Sequence, residues 1–328
     1  MADRPRLALA IPTYQRALIV AENLAAMAEE VRALDVAIYL SDDSPDDATE
    51  AVVRELRHII PNLHYRRNAP ALGHDANLIA TLCWAEAEHV WLMGDAMRVK
   101  PGYLGRILAF LDDQDFLFVR GHSEDPRMIP QMQGEEALAF IREALWHQTL
   151  TGATIYHSRV CDWVREQGTA LIVKRNFPQL SVVLGYASTQ PVKIGWFGEA
   201  AIASVAKLSY WRARAIGVFV DDWAALVLAF PIVIPENLRK RVIRSHSQNT
   251  KLFTPETLLS LKPSGEFSWS SLRRPHFLNA MHLPYWQVVG LLTVPTAVIA
   301  VTAATARARR GRQWVRNRLH RTASQTNR

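Results

Sequence analysis

Short apolar runs alternate with longer segments of helical periodicity over residues 7–111. The short runs predict strands, and segments whose apolar residues recur every three or four positions predict helices. Strands are expected at residues 7–11, 36–40, 63–65 and 90–93, and helices at residues 17–34, 48–58, 75–88 and 101–111. This alternation is typical of a Rossmann-like α/β fold with a doubly wound, mostly parallel sheet.

Polar residues follow each of the four predicted strands at its carboxyl end. Pro12, Thr13 and Tyr14 follow the first, Ser41, Asp42 and Asp43 the second, Arg66, Arg67 and Asn68 the third, and Gly94 and Asp95 the fourth. Open α/β sheets bind ligands at the carboxyl ends of their strands. One crevice is therefore expected to collect these side chains.

The pattern is less regular after residue 111. Residues 121–175 mix strand and helix signals and predict no definite elements. Apolar runs recur at residues 180–186 and 218–234, and Pro235 ends the second of them.

These boundaries predict three parts. A sheet domain is expected over residues 1–235, a helical connector over residues 236–283, and an apolar segment with a basic tail over residues 284–328.

The formal net charge of +7 is concentrated near the end of the chain. Eight of the 38 basic residues are arginines after residue 306, where no acid occurs, and the other 30 face 31 acidic residues. Residues 1–306 therefore carry about −1 and lack the basic surface that nucleic acids require, so no nucleic-acid partner is expected.

Two features indicate a reducing, cytoplasmic setting. Cys83 and Cys161 are too few for a disulfide framework. The apolar run near the N-terminus ends at Pro12 and is too short for a secretory signal.

Four segments occur in the order IPTYQR, LSDDSPDDAT, YRRNAPALGHDAN and VWLMGDAM. Together they resemble the motifs of family 2 glycosyltransferases, enzymes of the GT-A fold, over roughly the first third of the chain. The resemblance implies a nucleotide-diphosphate sugar as donor, with base and ribose contacts from the first two segments and further donor contacts from the third. The implied donor-binding residues are Pro12, Tyr14, Asp42, Asp43, Arg67, Asn68, Gly73, Asn77 and Asp95.

The resemblance also implies a divalent metal, Mg²⁺ or Mn²⁺, on the donor diphosphate. A hard cation neutralises the charge that develops on the departing diphosphate. The family's acidic D-x-D element ends the fourth strand, and Asp95 matches its first acid, but Ala96 and Met97 follow it. A lone carboxylate holds such a cation poorly unless water, phosphate or a distant side chain completes its coordination.

The second departure from the family pattern concerns the catalytic base. Inverting transfer needs a carboxylate to accept the proton of the acceptor hydroxyl. Asn176 and Gln179 stand where the family places a Glu-Asp pair, and neither is a base at neutral pH. Glu199, Asp221 and Asp222 are the predicted candidates.

Each of these assignments has a structural alternative. Asp42 and Asp43 also fit a solvated turn, Glu199 a surface loop, and Asp222 the cap of a helix that begins at Trp223. His74 and His122 are further polar residues with expected positions near the crevice, where an ordinary polar role is the alternative.

Later segments narrow the expected substrate. SYW at residues 209–211 and FVDDW at residues 219–223 are similar to abequosyltransferase-like members. This similarity implies transfer of a hexose or deoxyhexose to a lipid-linked or polysaccharide glycan of the bacterial cell envelope. The alternative is a non-catalytic relative that binds nucleotide sugar or glycan and organises an assembly complex.

Residues 284–306 contain no charged side chain and precede the arginine tail. Tyr285 and Trp286 stand where an interfacial aromatic belt begins. A single span would place the arginines outside, against the positive-inside rule. The segment is therefore expected to lie on the cytoplasmic side of the inner membrane as a peripheral attachment. The alternative is an apolar helix that packs on the sheet domain or on a second chain.

Overall fold

The computed structural model describes residues 4–121, 123–171, 175–205 and 210–298. The described part contains an eight-stranded mixed sheet and a two-stranded sheet. The strands are β1 Leu7–Thr13, β2 Ala37–Asp42, β3 Leu63–Arg67, β4 His89–Leu92, β5 Met97–Val99, β6 Phe116–Val119, β7 Met128–Gln133, β8 Thr154–His157, β9 Lys193–Phe197 and β10 Ile202–Ser204.

The large sheet has the order β3-β2-β1-β4-β8-β6-β9-β7. The first four strands in this order run parallel, β8 lies antiparallel to both of its neighbours, and β7 is an antiparallel edge strand. The small sheet pairs β5 with β10 in antiparallel fashion. A mostly parallel sheet is thus interrupted at its centre by one reversed strand.

Helices connect the strands and continue after the last of them. They are α1 Ala17–Ala33, α2 Ala48–Leu56, α3 His74–Trp84, α4 Tyr103–Phe110, α5 Gly134–Ala144, α6 Ser158–Gln167, α7 Pro178–Thr189, α8 Trp223–Ala229, α9 Glu236–Thr250, α10 Pro255–Leu261, α11 Phe277–Ala280 and α12 Tyr285–Thr293.

Both faces of the sheet are buried. In β1, Leu7 and Leu9 belong to one apolar cluster, and Ala8 and Ala10 belong to another on the opposite face. Such double burial explains why a parallel strand reads as a continuous apolar run. The burial of each large side chain contributes about 1.5–3 kcal/mol to folding.

The alternation over residues 7–111 correctly predicted four strands and four helices, with boundaries that differ by a few residues, but missed the short strand β5. The irregular stretch after residue 111 contains β6, β7 and β8, which the pattern did not reveal. The run at residues 218–234 forms a π-helix, Gly217–Asp222, that continues into α8. Asp222 has helical dihedral angles and its side chain caps no backbone group, so the cap alternative is wrong.

The helices after residue 235 share the apolar core of the sheet. Val242 of α9, Leu258 of α10 and Val288 of α12 belong to the same cluster as β4 and β6 residues. The Trp223 indole donates to the carbonyl of Ile243 at 3.0 Å. The division of the chain at residues 235 and 283 stays a prediction.

Within the described residues, no helix combines the length and the apolarity that crossing a membrane requires. The helix α12 has nine residues. The remainder of the apolar segment and the arginine tail, residues 299–328, lie outside the described part of the chain.

Candidate functional site

The carboxyl ends of β1 to β4 meet in one crevice, where polar side chains form a connected network. Ser41, which is buried, occupies its centre: its hydroxyl accepts a hydrogen bond from the Asn68 side chain at 3.1 Å, and its carbonyl accepts one from the Asn77 side chain at 3.1 Å. Asn68 also donates to the Asn77 side chain at 3.1 Å. Asn68 and Asn77, both predicted from the sequence, are therefore brought together.

Asp43 holds the loop that leads into α3. Its carboxylate accepts hydrogen bonds from the Asn68 side chain at 2.8 Å, the Gly73 backbone N–H at 2.8 Å and the Leu72 N–H at 3.2 Å. Gly73 has a φ of +84°, in the region that favours glycine, and immediately precedes the helix. The side chain of Asp43 thus fixes the shape of the loop over residues 68–73.

Asp42 is fully buried. Its carboxylate accepts a hydrogen bond from the Tyr65 hydroxyl at 3.1 Å and another from the Ser44 N–H at 2.9 Å. Burial, together with the nearby Asp42 carboxylate, raises the pKa of Tyr65 above its usual value, so the phenol stays protonated and donates. Asp42 therefore supports the loop after β2, and its predicted contact with nucleotide stays a prediction.

Tyr14 is the exposed aromatic of the crevice, with 55% of its surface accessible. The adjacent Gln15 N–H donates to the Ser44 hydroxyl at 2.7 Å, which ties the loop after β1 to the loop after β2. The preceding Pro12 is half-buried. An accessible ring next to a fixed backbone suits stacking on a nucleotide base.

Arg67 is directed away from this network. Its guanidinium donates to the Asp46 carbonyl at 3.0 Å and pairs with the Asp47 carboxylate. In this position it contacts the start of α2, so its predicted donor contact stays a prediction.

Both carboxylate oxygens of Asp95 have protein partners. The Thr13 hydroxyl donates to one at 2.9 Å, and the Arg16 guanidinium donates to the other at 2.8 Å. The Asn23 side chain donates to the Asp95 carbonyl at 2.8 Å. Since Ala96 and Met97 add no carboxylate, the residues of this element do not fit a metal ion by themselves.

We expect nucleotide affinity to persist in excess EDTA, because Arg16 already neutralises Asp95. Calorimetry with and without Mn²⁺ measures this. Tight Mn²⁺ binding by the nucleotide-free protein that disappears in Asp95→Asn would contradict the expectation.

A pocket of about 340 Å³ opens beside the start of α3. Its lining residues are Leu72, Gly73, His74, Asp75, Ala76, Arg175, Asn176 and Arg214. It shares Gly73 with the Asp43 network, so the pocket adjoins the crevice.

Asn176 joins two carboxylates at this pocket. Its backbone N–H donates to the Asp75 carboxylate at 2.9 Å, and its side chain donates to the Asp222 carboxylate at 2.6 Å. Asn176 adopts a φ of +70°, a conformation that asparagine tolerates better than most residues. The residue at the family's base position thus orients a carboxylate from a distant helix.

The pKa of Asp222 is raised. Burial is the largest cause and the adjacent Asp221 carboxylate adds to it, against the opposing hydrogen bond from Asn176. A half-buried carboxylate with a raised pKa is a stronger base than an exposed aspartate.

The other two base candidates are held by arginines elsewhere. Glu199 lies on the loop between β9 and β10 and pairs with Arg106. Asp221 pairs with Arg274. Of the three predicted candidates, Asp222 contacts a residue of the pocket lining.

The remaining polar residues considered from the sequence have different positions relative to the pocket. His74 lines the pocket and lies 2.7 Å from Asp75, whereas Gln179 is buried and its side chain donates to the Thr149 carbonyl at 3.3 Å. His122 lies outside the described residues. Three residues of the pocket lining were not predicted as site residues: Asp75, which the third sequence segment contains, and Arg175 and Arg214, which lie outside the four segments.

Known proteins resemble this chain in sequence. A family model described as glycosyl transferase family 2 matches residues 8–159. The abequosyltransferase RfbV of Salmonella typhimurium is 28% identical over 121 residues, which cover 36% of this chain and 36% of that protein. The chain thus spans about a third of the length of the curated relative that it matches.

Solved structures resemble it in fold. Residues 1–349 of TarS from S. aureus, in complex with UDP-GlcNAc, superpose with a TM-score of 0.56 at 15% identity, covering 88% of this chain and 81% of that one. The mannosyltransferase PcManGT from Pyrobaculum calidifontis, in complex with GDP-Man and Mn²⁺, gives a TM-score of 0.52 at 13% identity, covering 88% and 86%. These likenesses confirm the predicted α/β fold.

Proposed function

We propose that this chain, whose residues 8–159 match the model of glycosyl transferase family 2, moves a hexose or deoxyhexose from a nucleotide-diphosphate sugar to a hydroxyl of a cell-envelope glycan. The resemblance seen in the four sequence segments is confirmed at the level of the family. The relatives support the donor class, since TarS is solved with UDP-GlcNAc. Similarity to an abequosyltransferase supports an envelope glycan as acceptor.

The hydrogen bond between Asn176 and Asp222 carries this proposal. It places a carboxylate with a raised pKa beside a pocket that adjoins the polar crevice. In the proposed reaction, the acceptor hydroxyl oxygen bonds to the anomeric carbon of the donor sugar as the bond from that carbon to the diphosphate oxygen breaks. Asp222 accepts the hydroxyl proton. Attack on the face opposite the leaving group inverts the anomeric centre.

Arginine side chains offer positive charge to the departing diphosphate. Arg175 and Arg214 line the pocket and are exposed, whereas Arg16 in the adjoining crevice is already paired with Asp95. Guanidinium groups bind phosphate oxygens in a bidentate manner. Their positions are consistent with a leaving group that lies between the crevice and the pocket.

A screen of UDP-, GDP-, CDP-, CMP- and dTDP-sugars tests the donor. One nucleotide is expected to raise the melting temperature of the full chain, and the matching nucleotide sugar is expected to be consumed when a lipid-linked glycan acceptor is supplied. Binding without turnover under every acceptor tried would favour the scaffold alternative. Absence of nucleotide binding would contradict both.

We further propose that α12 attaches the enzyme to the cytoplasmic face of the inner membrane. Val288 and Leu292 are buried against the core, and the Lys262 ammonium donates to the carbonyls of Leu291, Leu292 and Val294. The helix is therefore fixed along one face. Tyr285 and Trp286 are 59% and 70% exposed, an arrangement typical of interfacial anchoring. The arginines beyond residue 306 would add attraction to anionic lipid.

Replacing both exposed rings, Tyr285→Gln with Trp286→Gln, is expected to reduce sedimentation with phosphatidylglycerol vesicles several-fold while leaving the melting temperature unchanged. The physical reason is that these rings are exposed, so their removal costs no core packing. Leu18→Gln, at an exposed apolar residue of α1, is the matched control. Equal sedimentation of the double variant and the control would contradict membrane attachment through α12.

A further inference from the structure

Three side chains with metal-ligand chemistry converge at the amino end of β4, opposite the crevice. Glu88 precedes the strand, and His89 lies directly across the antiparallel ladder from His157 at the end of β8. One ligand atom from each of the three lies within 4.8 Å of the others. Asp95 follows the carboxyl end of β4, so this cluster is at the other edge of the sheet.

His89 offers a buried nitrogen that has no hydrogen-bond partner among the described residues. The side chain is 2% exposed, and its Nε2 lies 3.0 Å from the Asp112 carbonyl, which can only accept. Nε2 therefore carries the proton, and Nδ1 presents a lone pair. Nδ1 is this buried nitrogen. An unsatisfied buried acceptor is costly, and an imidazole oriented by a carbonyl is a common arrangement at metal centres.

We propose that Glu88, His89 and His157 bind a divalent transition metal of the Zn²⁺ type. Two imidazole nitrogens and one carboxylate oxygen are a frequent Zn²⁺ ligand set, which leaves a fourth position for water. Imidazole ligands favour Zn²⁺ over Mg²⁺ or Mn²⁺. The exposed side chain of Glu88 closes the distance to the two histidines on binding.

His157 changes its tautomer on binding. Its Nδ1 now accepts a hydrogen bond from the Arg159 N–H at 3.2 Å and lies 3.3 Å from the Ser158 hydroxyl. Coordination through Nε2 moves the ring proton to Nδ1, where the Ser158 hydroxyl accepts it, and the Arg159 N–H gives up its hydrogen bond to this nitrogen. No net proton is released from this ring, and Ser158 is a positioning residue for the metal.

Neighbouring cations leave the site accessible to a metal. The Arg159 guanidinium pairs with the carboxylates of Asp113 and Asp115. Arg6 donates to the Leu111 carbonyl at 2.7 Å. Both guanidinium groups are thereby held by other partners.

The test titrates Zn²⁺ into the metal-free full chain without nucleotide, against a chromogenic chelator. Wild type is expected to bind one equivalent. His157→Ala and Glu88→Gln are expected to weaken binding by about 100-fold and at least tenfold, and Ser158→Ala by about tenfold. These residues are exposed or half-buried, so the test does not depend on replacing the buried His89. His58→Ala, at an exposed histidine of the same chain, is the control and should bind as wild type does.

Co²⁺ provides a second readout, because a four-coordinate site gives intense visible absorption that His157→Ala should lose. Asp95→Asn should retain both signals, which separates this site from the donor crevice. Binding that is equal in wild type and His157→Ala, or lost in Asp95→Asn, would overturn the proposal. Neither result bears on sugar transfer, since no nucleotide is present.

Discussion

Asp222→Asn is expected to lower kcat for sugar transfer by about 10²–10⁴-fold, the range that general base catalysis contributes. The asparagine keeps the size of the side chain but cannot accept the hydroxyl proton. Donor affinity should remain close to that of wild type, because the crevice residues are untouched. Steady-state kinetics and nucleotide calorimetry on the same preparations separate the two effects.

Asp221→Asn and Glu199→Gln are the matched controls, since each changes one carboxylate that pairs with an arginine outside the pocket lining. Both should retain transfer within a few-fold. Full activity of Asp222→Asn would remove Asp222 from the mechanism, and loss of activity in Glu199→Gln alone would assign the base to Glu199, on the loop between β9 and β10.

The pH dependence of kcat gives an independent check that Asp222 is the base. The base must be deprotonated, so kcat falls as the pH drops through the pKa of Asp222, which burial holds above that of an ordinary aspartate. The Asn176 hydrogen bond lowers this pKa. Asn176→Ala should therefore move the acidic limb to higher pH, a shift that a purely structural role of Asn176 would not produce.

The sequence predicted the half of the sheet that forms the crevice because its signals are local. Each of the first four strands is a short apolar run, and each helix between them has apolar residues that recur every three or four positions. Asn68 and Asn77 were found because the motif that contains them is compact, and the structure joins their side chains at 3.1 Å.

The sequence named three candidates for the base but could not choose among them, because the choice depends on a contact between distant residues. Asn176 and Asp222 are separated by 46 positions, and a π-helix sets the direction of the second. Periodicity does not reveal a π-helix, since it occurs in short stretches within helical sequence. The pairing of His89 with His157 depends likewise on the position of the reversed strand β8, which the irregular stretch did not reveal.

The adjacent carboxylates Asp42 and Asp43 are both buried, but their hydrogen-bond partners differ. Asp42 accepts hydrogen bonds from the Tyr65 hydroxyl and the Ser44 N–H, whereas Asp43 accepts them from backbone N–H groups of the loop over residues 68–73. Asp42→Asn keeps an oxygen for the Ser44 N–H, and its amide can donate to the Tyr65 hydroxyl. The loss of stability expected from this change is about 1 kcal/mol.

Asp43→Ala is expected to lower the free energy of unfolding by about 2–5 kcal/mol, because the N–H groups of Leu72 and Gly73 lose a buried charged acceptor. At roughly 2–4 °C for each kcal/mol in a chain of this order of size, the melting temperature should fall by about 4–20 °C.

The same variant should also bind nucleotide at least about tenfold more weakly as the loop loses its shape, a cost of about 1.4 kcal/mol in binding. Thermal melting measures the first effect, with Asp42→Asn as the control that keeps the loop over residues 68–73 intact, and calorimetry well below the lower melting temperature measures the second. A variant that melts and binds as wild type does would show that the loop is held by Asn68 and the start of α3 alone.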